Sequence, residues 1–306
     1  MSQTFKIIPK EKRARKEVER LSVSQFVAYM DGEFDYLTDL VYRGGTYMSD
    51  EAELAQLITE GNFAFGKEFI TSRAFILICD KKSFNVRINT PATTKDWQTA
   101  LAFIKMLAMK TDAIVITEAG TELSLSALES YDYKPDILAG IKNLQEAKGD
   151  DIQQIVGPCD RIIYLDVNAI KNITGAPDPI AAFDTTLEKV FHTDGAPPTQ
   201  YFLPFRKQDG SDEFLIGYHI LFSNFPTILP IQPRLYPKNI PLIRKRYGGV
   251  QKWLIGLAIP GQKEPFFLTH EQVIESLQRC RKIDANQLYV ERLTREEMIA
   301  MVKKYE

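Results

Sequence analysis

The apolar residues of this chain occur in short runs, each bounded by a polar turn, a helix cap or a proline. One of the longest runs covers only residues 74–79, whereas a helix that crosses a bilayer needs roughly 20 apolar residues. The sequence therefore predicts no transmembrane helix. Residues 4–8 pass directly into charged residues and offer no apolar core for a secretory signal, so we expect a cytoplasmic protein.

The cysteine content supports the same compartment. Cys79, Cys159 and Cys280 are odd in number and far apart, whereas a disulfide framework uses an even and denser set. We expect free thiols in a reducing environment. Cys79 in an apolar strand, and Cys280 on a helix with Val273 and Leu277, are expected to be small core residues, and Cys159 is expected near solvent.

Local signals alternate between strands and amphipathic helices. Residues 73–80 and 84–89 are rich in β-formers and flank a short polar turn, which predicts a hairpin; residues 201–206 and 213–222 repeat this pattern. Between them, a helix capped by Thr94 is indicated by apolar residues at three- and four-residue steps. Thr269 with Gln272, and Thr294 with Glu297, predict two capping boxes that each begin a helix.

The polar segment that ends at Gly157-Pro158 predicts a boundary between an N-terminal lobe, 1–150, and a C-terminal lobe, 151–306. Each half shows a core order of β-α-β-β-α-β, which is that of a ferredoxin-like unit. We therefore predict an α+β fold of two mixed α/β lobes, each with an antiparallel, hairpin-containing sheet. No residue-level repeat is visible, so internal duplication and convergence of short patterns both stay open.

Five prolines stiffen residues 225–241 of the C-terminal half. Proline lacks a backbone N–H, so the segment is predicted to be an extended excursion rather than a helix or a central strand. Its apolar side chains include Ile231, Leu235 and Tyr236. Such side chains either pack over their own domain or form an apolar surface for a partner, and the sequence leaves both interpretations open.

Two segments combine cationic and aromatic side chains with a following glycine pair. Glycine pairs can expose backbone N–H groups to an anion, and arginine binds phosphate or carboxylate in a forked geometry. The alternative is a surface turn with solubilising charge. The candidate anion or partner contacts are Tyr42, Arg43, Arg244, Lys245, Arg246 and Tyr247.

Recognisable catalytic and metal-binding signatures are missing from the sequence. His192, His219 and His270 lack the close spacing of zinc sites, and neither a nucleophile elbow nor a glycine-rich nucleotide loop occurs. We therefore predict no catalytic residue, no metal and no cofactor. Members of a Ser-His-Asp triad need not be close in sequence, so an enzyme stays an alternative.

Four segments carry a resemblance to a known family. They are residues 89–97 (NTPATTKDW), 206–210 (RKQDG), 225–230 (FPTILP) and 293–298 (LTREEM). Together they resemble a bacterial family, mostly from Firmicutes such as streptococci, that is catalogued as domain of unknown function 4299. The resemblance covers nearly the whole chain. It implies a bacterial cytoplasmic protein, and it transfers no catalytic residue.

The leading hypothesis is a non-enzymatic protein-binding module with an unknown protein partner. The alternative is an enzyme or sensor that binds an acidic or phosphorylated small molecule, with Arg43, Arg244 and Arg246 as anion clamps. Nucleic-acid binding is a second alternative, which a net charge of −2 disfavours. No membrane partner is expected, and the sequence does not determine the oligomeric state.

Overall fold

The computed structural model describes residues 2–37, 41–43, 46–48, 51–147, 152–157, 161–206, 213–236 and 239–306. Its helices and strands fall into two units, 1–192 and 193–306. The division therefore follows His192, whereas the sequence suggested a boundary after residue 150. Among the described residues, no helix combines the length and the apolar composition that a bilayer crossing requires.

Residues 152–192 belong to the first unit because specific contacts tie them to residues earlier in the chain. The Arg73 Nε donates to the carbonyl of Val156 at 3.1 Å, and the Thr94 amide donates to the Asp184 carboxylate at 3.0 Å. The polar segment that suggested a linker is thus a connection inside one unit, since its two sides share hydrogen bonds.

The first unit contains eleven strands and eight helices among its described residues. The strands are β1 Ser2–Pro9, β2 Asp35–Tyr36, β3 Val41–Arg43, β4 Thr46–Met48, β5 Asn62–Gly66, β6 Phe75–Cys79, β7 Phe84–Asn89, β8 Ala113–Thr117, β9 Glu122–Leu123, β10 Ile152–Val156 and β11 Ile162–Asp166. The helices are α1 Lys12–Glu19, α2 Val23–Tyr29, α3 Glu51–Ala55, α4 Thr94–Lys110, α5 Leu125–Glu129, α6 Lys134–Glu146, α7 Val167–Thr174 and α8 Pro179–Phe191.

The main sheet of the first unit is antiparallel throughout, in the order β2-β5-β6-β7-β1-β8-β9. Helix α4 packs against β1, β7 and β8. Its Phe103 is fully buried, and its ring lies 4.8 Å from that of Phe75 and 5.5 Å from that of Phe65, measured between centroids. Burial of these aromatic rings supplies the largest apolar areas of this core.

The second unit contains two sheets and three helices among its described residues. Its elements are β12 Tyr201–Arg206, β13 Glu213–Phe222, β14 Thr227–Pro230, α9 Ile240–Tyr247, β15 Lys252–Ala258, β16 Phe266–Thr269, α10 His270–Ser276, β17 Cys280–Lys282, β18 Gln287–Val290 and α11 Arg295–Tyr305. One sheet has the order β12-β13-β15-β16 and the other β14-β18-β17. A core that includes Leu221, Ile255, Val273 and Met298 joins these elements.

The predicted α+β class is confirmed, whereas the predicted ferredoxin-like order, and the internal duplication that the sequence left open, are not confirmed. In the first unit, β6-β7-β1-β8 are adjacent and antiparallel. In the second unit β13 and β15 are parallel, because the chain crosses over through β14, the proline-rich segment and α9 before β15 begins. The two units thus have different sheet arrangements.

Short-range predictions agree with the structure where caps and turns determine the outcome. Thr269 and Thr294 form capping boxes, and both predicted hairpins are present, whereas the cap of α4 is Thr93 rather than Thr94. The prediction for Cys280 is wrong: it is exposed on β17, because α10 ends at Ser276.

The other two cysteines have separate outcomes. Cys79 lies on β6 with a partly buried side chain, and burial raises the pKa of its thiol to about 12, so it is protonated at neutral pH. Cys159 lies outside the described residues.

The N-terminus of α4 is held by a buried carboxylate. One oxygen of Asp96 accepts the amides of Ser72 and Arg73, at 2.8 and 3.0 Å, and the other accepts the amide and hydroxyl of Thr93, at 2.9 and 2.8 Å. Burial raises the pKa of the Asp96 carboxyl, and these four hydrogen bonds oppose that effect. Asp96 thereby fastens the start of α4 to the strand connection before β6.

We expect Asp96→Asn to lower the free energy of unfolding by about 2–3 kcal/mol, because an amide nitrogen faces donors that need an acceptor. Glu297→Gln is the matched control: Glu297 has the same capping-box position in α11, but its side chain is 42% exposed, so a loss of about 0.5–1 kcal/mol is expected. Urea unfolding measures both. Equal losses would show that burial of Asp96 adds nothing to its capping role.

Candidate functional site

The predicted basic contacts of the second unit lie in the last turn of α9. Arg244, Lys245 and Arg246 are exposed there, where positive charge suits the helix dipole. The Arg246 guanidinium lies 5.1 Å from the ring centroid of Tyr247. Gly248 has φ +70° and ends the helix, so the first glycine of the pair serves as a left-handed helix stop.

The smaller basic segment lies in the first unit. Tyr42 and Arg43 are in β3, where they pair with Tyr47 and Thr46 of β4. The side chains of this hairpin, and the glycine pair between its strands, lie outside the described residues. The anion-contact prediction therefore stays a prediction for both segments.

The proline-rich excursion begins with β14, which pairs with β18, and beyond this strand it is fastened to its own unit at two further points. At the first point, the side chain of Asn286 binds both backbone groups of Gln232. Its Oδ1 accepts the Gln232 amide and its Nδ2 donates to the Gln232 carbonyl, both at 2.8 Å. The Ile231 amide donates to the Asn286 carbonyl at 2.6 Å. The Ile231 side chain is partly buried.

The second point involves Gln200. Its Nε2 donates to the carbonyl of Arg234 at 2.6 Å, and its Oε1 accepts the amide of Tyr236 at 3.0 Å. Tyr236 is buried, and its hydroxyl donates to the carbonyl of Pro198, whereas Leu235 is partly buried. Of the three apolar contacts predicted for a partner, Tyr236 is thus used within the unit.

A larger apolar surface lies on the sheet β12-β13-β15-β16. Side chains alternate across β13: Leu215, His219 and Leu221 point into the core, and the alternate positions are partly exposed. Cross-strand pairs extend the outer row onto β12. We call this surface the open face, and its residues are Tyr201, Leu203, Phe205, Phe214, Ile216, Tyr218, Ile220, Leu254 and Phe267.

Aromatic rings on the open face are ordered by contact with one another. Tyr201 stacks on Tyr218 with centroids 5.1 Å apart, and Phe205 stacks on Phe214 at 5.5 Å. Phe267 meets Tyr218 edge-on at 5.2 Å. Such pairs contribute about 0.5–1.5 kcal/mol beyond area burial, so the surface is ordered before any partner binds.

The open face is accessible to solvent. Tyr201, Leu203, Phe205 and Phe267 expose 40%, 37%, 43% and 41% of their surfaces. A single apolar side chain exposed to this extent is ordinary, whereas several in adjacent cross-strand positions form a contiguous patch. Lys252 pairs with Ile216 at the start of β15, so its charged side chain lies at one end of the described part of this face.

Both edges of this sheet carry proline. Pro204 lies within the edge strand β12, and Pro265 directly precedes the other edge strand, β16. Proline removes a backbone donor, which discourages addition of a further strand. The sheet therefore favours a partner that packs on its face over one that extends it.

The opposite face of the sheet holds two buried histidines. His219 stacks on Trp253 with centroids 5.3 Å apart, and its Nδ1 lies 3.1 Å from the carbonyl of Thr199. Burial lowers the pKa of His219 to about 4. His270 contacts the carbonyl of Pro230 at 2.8 Å, and burial lowers its pKa as well.

These histidines fasten backbone segments through hydrogen bonds to carbonyl oxygens. Each neutral imidazole must donate to the carbonyl that it contacts, so the Nδ1 of His219 carries its hydrogen. Among the described residues, no group of three His, Cys, Asp or Glu side chains is placed to hold a metal ion.

One pattern in the sequence is a signal for the open face. The described part of β13, residues 214–222, is almost continuously apolar, which is typical of a strand that needs cover on both faces. A hairpin prediction alone does not indicate which face of β13 lacks cover.

We expect the free energy of unfolding of the second unit to fall as the pH decreases from 6.5 to 4. In this range His219 binds a proton in the unfolded chain but not in the folded state. Between pH 6.5 and 4, His219 alone should therefore lower the free energy of unfolding by about 3 kcal/mol. His219→Phe should reduce this slope, because Phe can stack on Trp253 and takes up no proton. Urea unfolding followed by tryptophan fluorescence measures it. An unchanged slope would contradict the assignment to His219.

Asn286→Ala should lower the free energy of unfolding by about 2–3 kcal/mol, since it leaves both backbone groups of Gln232 without their side-chain partner. Asn286→Asp retains the acceptor for the Gln232 amide but places a carboxylate oxygen against the Gln232 carbonyl in a buried site, so it should lose at least as much. Hydrogen exchange at the Ile231 and Gln232 amides reports the attachment directly. Unchanged exchange in Asn286→Ala would show that other contacts hold the excursion.

Comparison with known proteins gives a family and no named relative. Neither the curated proteins nor the solved structures contain a significant match to the chain. One family model, described as domain of unknown function (DUF4299), matches residues 2–301. That match spans both units, from β1 into α11, so the chain belongs to the DUF4299 family.

Proposed function

We propose that this chain is a protein-binding module and that its contact surface is the open face. The observation that carries this proposal is the contiguous row of exposed, mutually stacked aromatic side chains on β12, β13 and β16. The four most exposed side chains, Tyr201, Leu203, Phe205 and Phe267, together present about 320 Å², if a fully exposed large side chain presents about 200 Å². Patches of this size on a monomer are often functional.

The composition of the open face favours a protein over a small ligand. Small-molecule sites are concave and surround most of the ligand, whereas this surface is one face of a four-stranded sheet. Aromatic residues are also the side chains that contribute most to protein interfaces. The basic turn of α9, with Arg244 and Arg246, is a candidate contact for acidic groups of a partner.

Single-stranded nucleic acid is the second candidate for the same surface, because bases stack readily on exposed aromatic rings. Such binding also requires cations along the phosphate backbone. On the described part of the open face, alternation places Lys252 at one end and apolar residues over the remainder. This distribution of charge favours a protein partner. If the affinity of the open face for its partner fell steeply with added salt, the partner would be a nucleic acid instead.

The compartment that we propose is the cytoplasm. Cys79 and Cys280 are free thiols, and Cys280 is exposed. Exposed free thiols persist in reducing compartments and are oxidised more readily outside them.

Phe205→Glu should abolish capture of the partner by the purified chain, because it buries an unpaired charge in the interface. Leu138→Glu is the matched control: Leu138 is 44% exposed on α6 of the first unit, so its substitution should leave capture unchanged. Affinity capture from cell extract, with circular dichroism to confirm folding, makes the comparison. Equal capture by wild type and a folded Phe205→Glu variant would contradict the proposal.

A further inference from the structure

We infer that the partner of the open face is a second copy of this chain, packed sheet against sheet. This inference rests on the proposed function, because it names the occupant of the same surface. Two sheets pack face to face about 10 Å apart through interdigitating side chains. The stacked pairs Tyr201–Tyr218 and Phe205–Phe214 supply such side chains on one face of each copy.

The area of the open face suits a weak dimer. The four most exposed side chains of two faces bury about 640 Å² of apolar surface, and the five partly buried members of each face raise this value toward the roughly 1,000 Å² of a small specific interface. Peripheral backbone and polar atoms add to this value. We therefore expect a dimer that dissociates on dilution rather than an obligate one.

The charge distribution fits a self-complementary interface. An isologous dimer uses the same surface of both copies, so a charge at the centre would face and repel an identical charge. The described centre of the open face is apolar, and Lys252 lies at one end of the sheet. A two-fold axis across the strands places the Lys252 end of one copy over the Phe222 end of the other, which keeps the two ammonium groups apart.

The edges of the sheet limit assembly to a closed pair. A sheet with free edges can add strands from further copies and form open-ended aggregates. Pro204 removes a donor within one edge strand, and Pro265 removes one directly before the other edge strand. Packing through the face uses the whole apolar surface of both copies, so a dimer leaves no equivalent surface for a third.

The test is the molar mass of the full-length chain, measured by light scattering and analytical ultracentrifugation across a dilution series. Wild type should be a dimer that dissociates into monomers. Phe205→Glu should raise the dissociation constant of the dimer by about a thousand-fold. Each substituted contact weakens binding by at least about 30-fold, and the symmetric dimer contains two such contacts. Leu203→Lys, which introduces the opposite charge at 37% exposure, should have the same effect. Leu138→Glu should dimerise as wild type does.

The outcomes separate this inference from the proposed function. A wild-type chain that is monomeric at every concentration overturns the second-copy inference, and capture of a different protein that Phe205→Glu abolishes would still support the binding module. A dimer that persists in both folded variants also overturns the inference, because it must use another surface. Dimers that persist in high salt support an apolar interface, whereas dimers lost in high salt overturn it.

Discussion

The second unit depends on one constraint, which is that strand β13 carries apolar side chains on both of its faces. Alternation directs Leu215 and Leu221 into the core, where residues of α10 and α11 pack with Leu221, and directs Ile216 and Tyr218 outward. Apolar area left in water costs roughly 25 cal/mol per Å² relative to burial. The outward row is therefore the basis of the proposed contact surface, and the same strand contributes to the fold through its inward row.

The buried ionisable groups of this chain attach loops to secondary structure. Asp96 accepts four hydrogen bonds at the start of α4, and Arg73 donates to the carbonyls of Asn89, Pro91 and Val156. His219 contacts the carbonyl of Thr199, and His270 contacts that of Pro230. Hydrogen bonds, most of them to backbone groups, thus accompany the burial of these side chains.

Sequence patterns were sufficient where neighbouring residues decide the structure. Thr269 and Thr294 cap helices because a hydroxyl and a side chain three residues later satisfy each other locally. Patterns were insufficient where distant segments compete. Cys280 has apolar residues at helical spacing before it, yet the strand β17 forms there because β18 offers it a ladder of hydrogen bonds. Likewise the polar residues before Gly157 resembled a linker, and contacts with Arg73 place them inside one unit.

The sequence by itself determined the α+β class, most caps and hairpins, and the resemblance to a family that the match over residues 2–301 confirmed. Each of these depends on residues that are close in the chain or on the identity of whole segments. Only the tertiary structure decided that Tyr236 is buried and that the apolar row from Tyr201 to Phe267 is exposed. The physical reason is that a strand's alternation defines two faces, and which of them receives a cover depends on helices and strands packed from elsewhere in the chain.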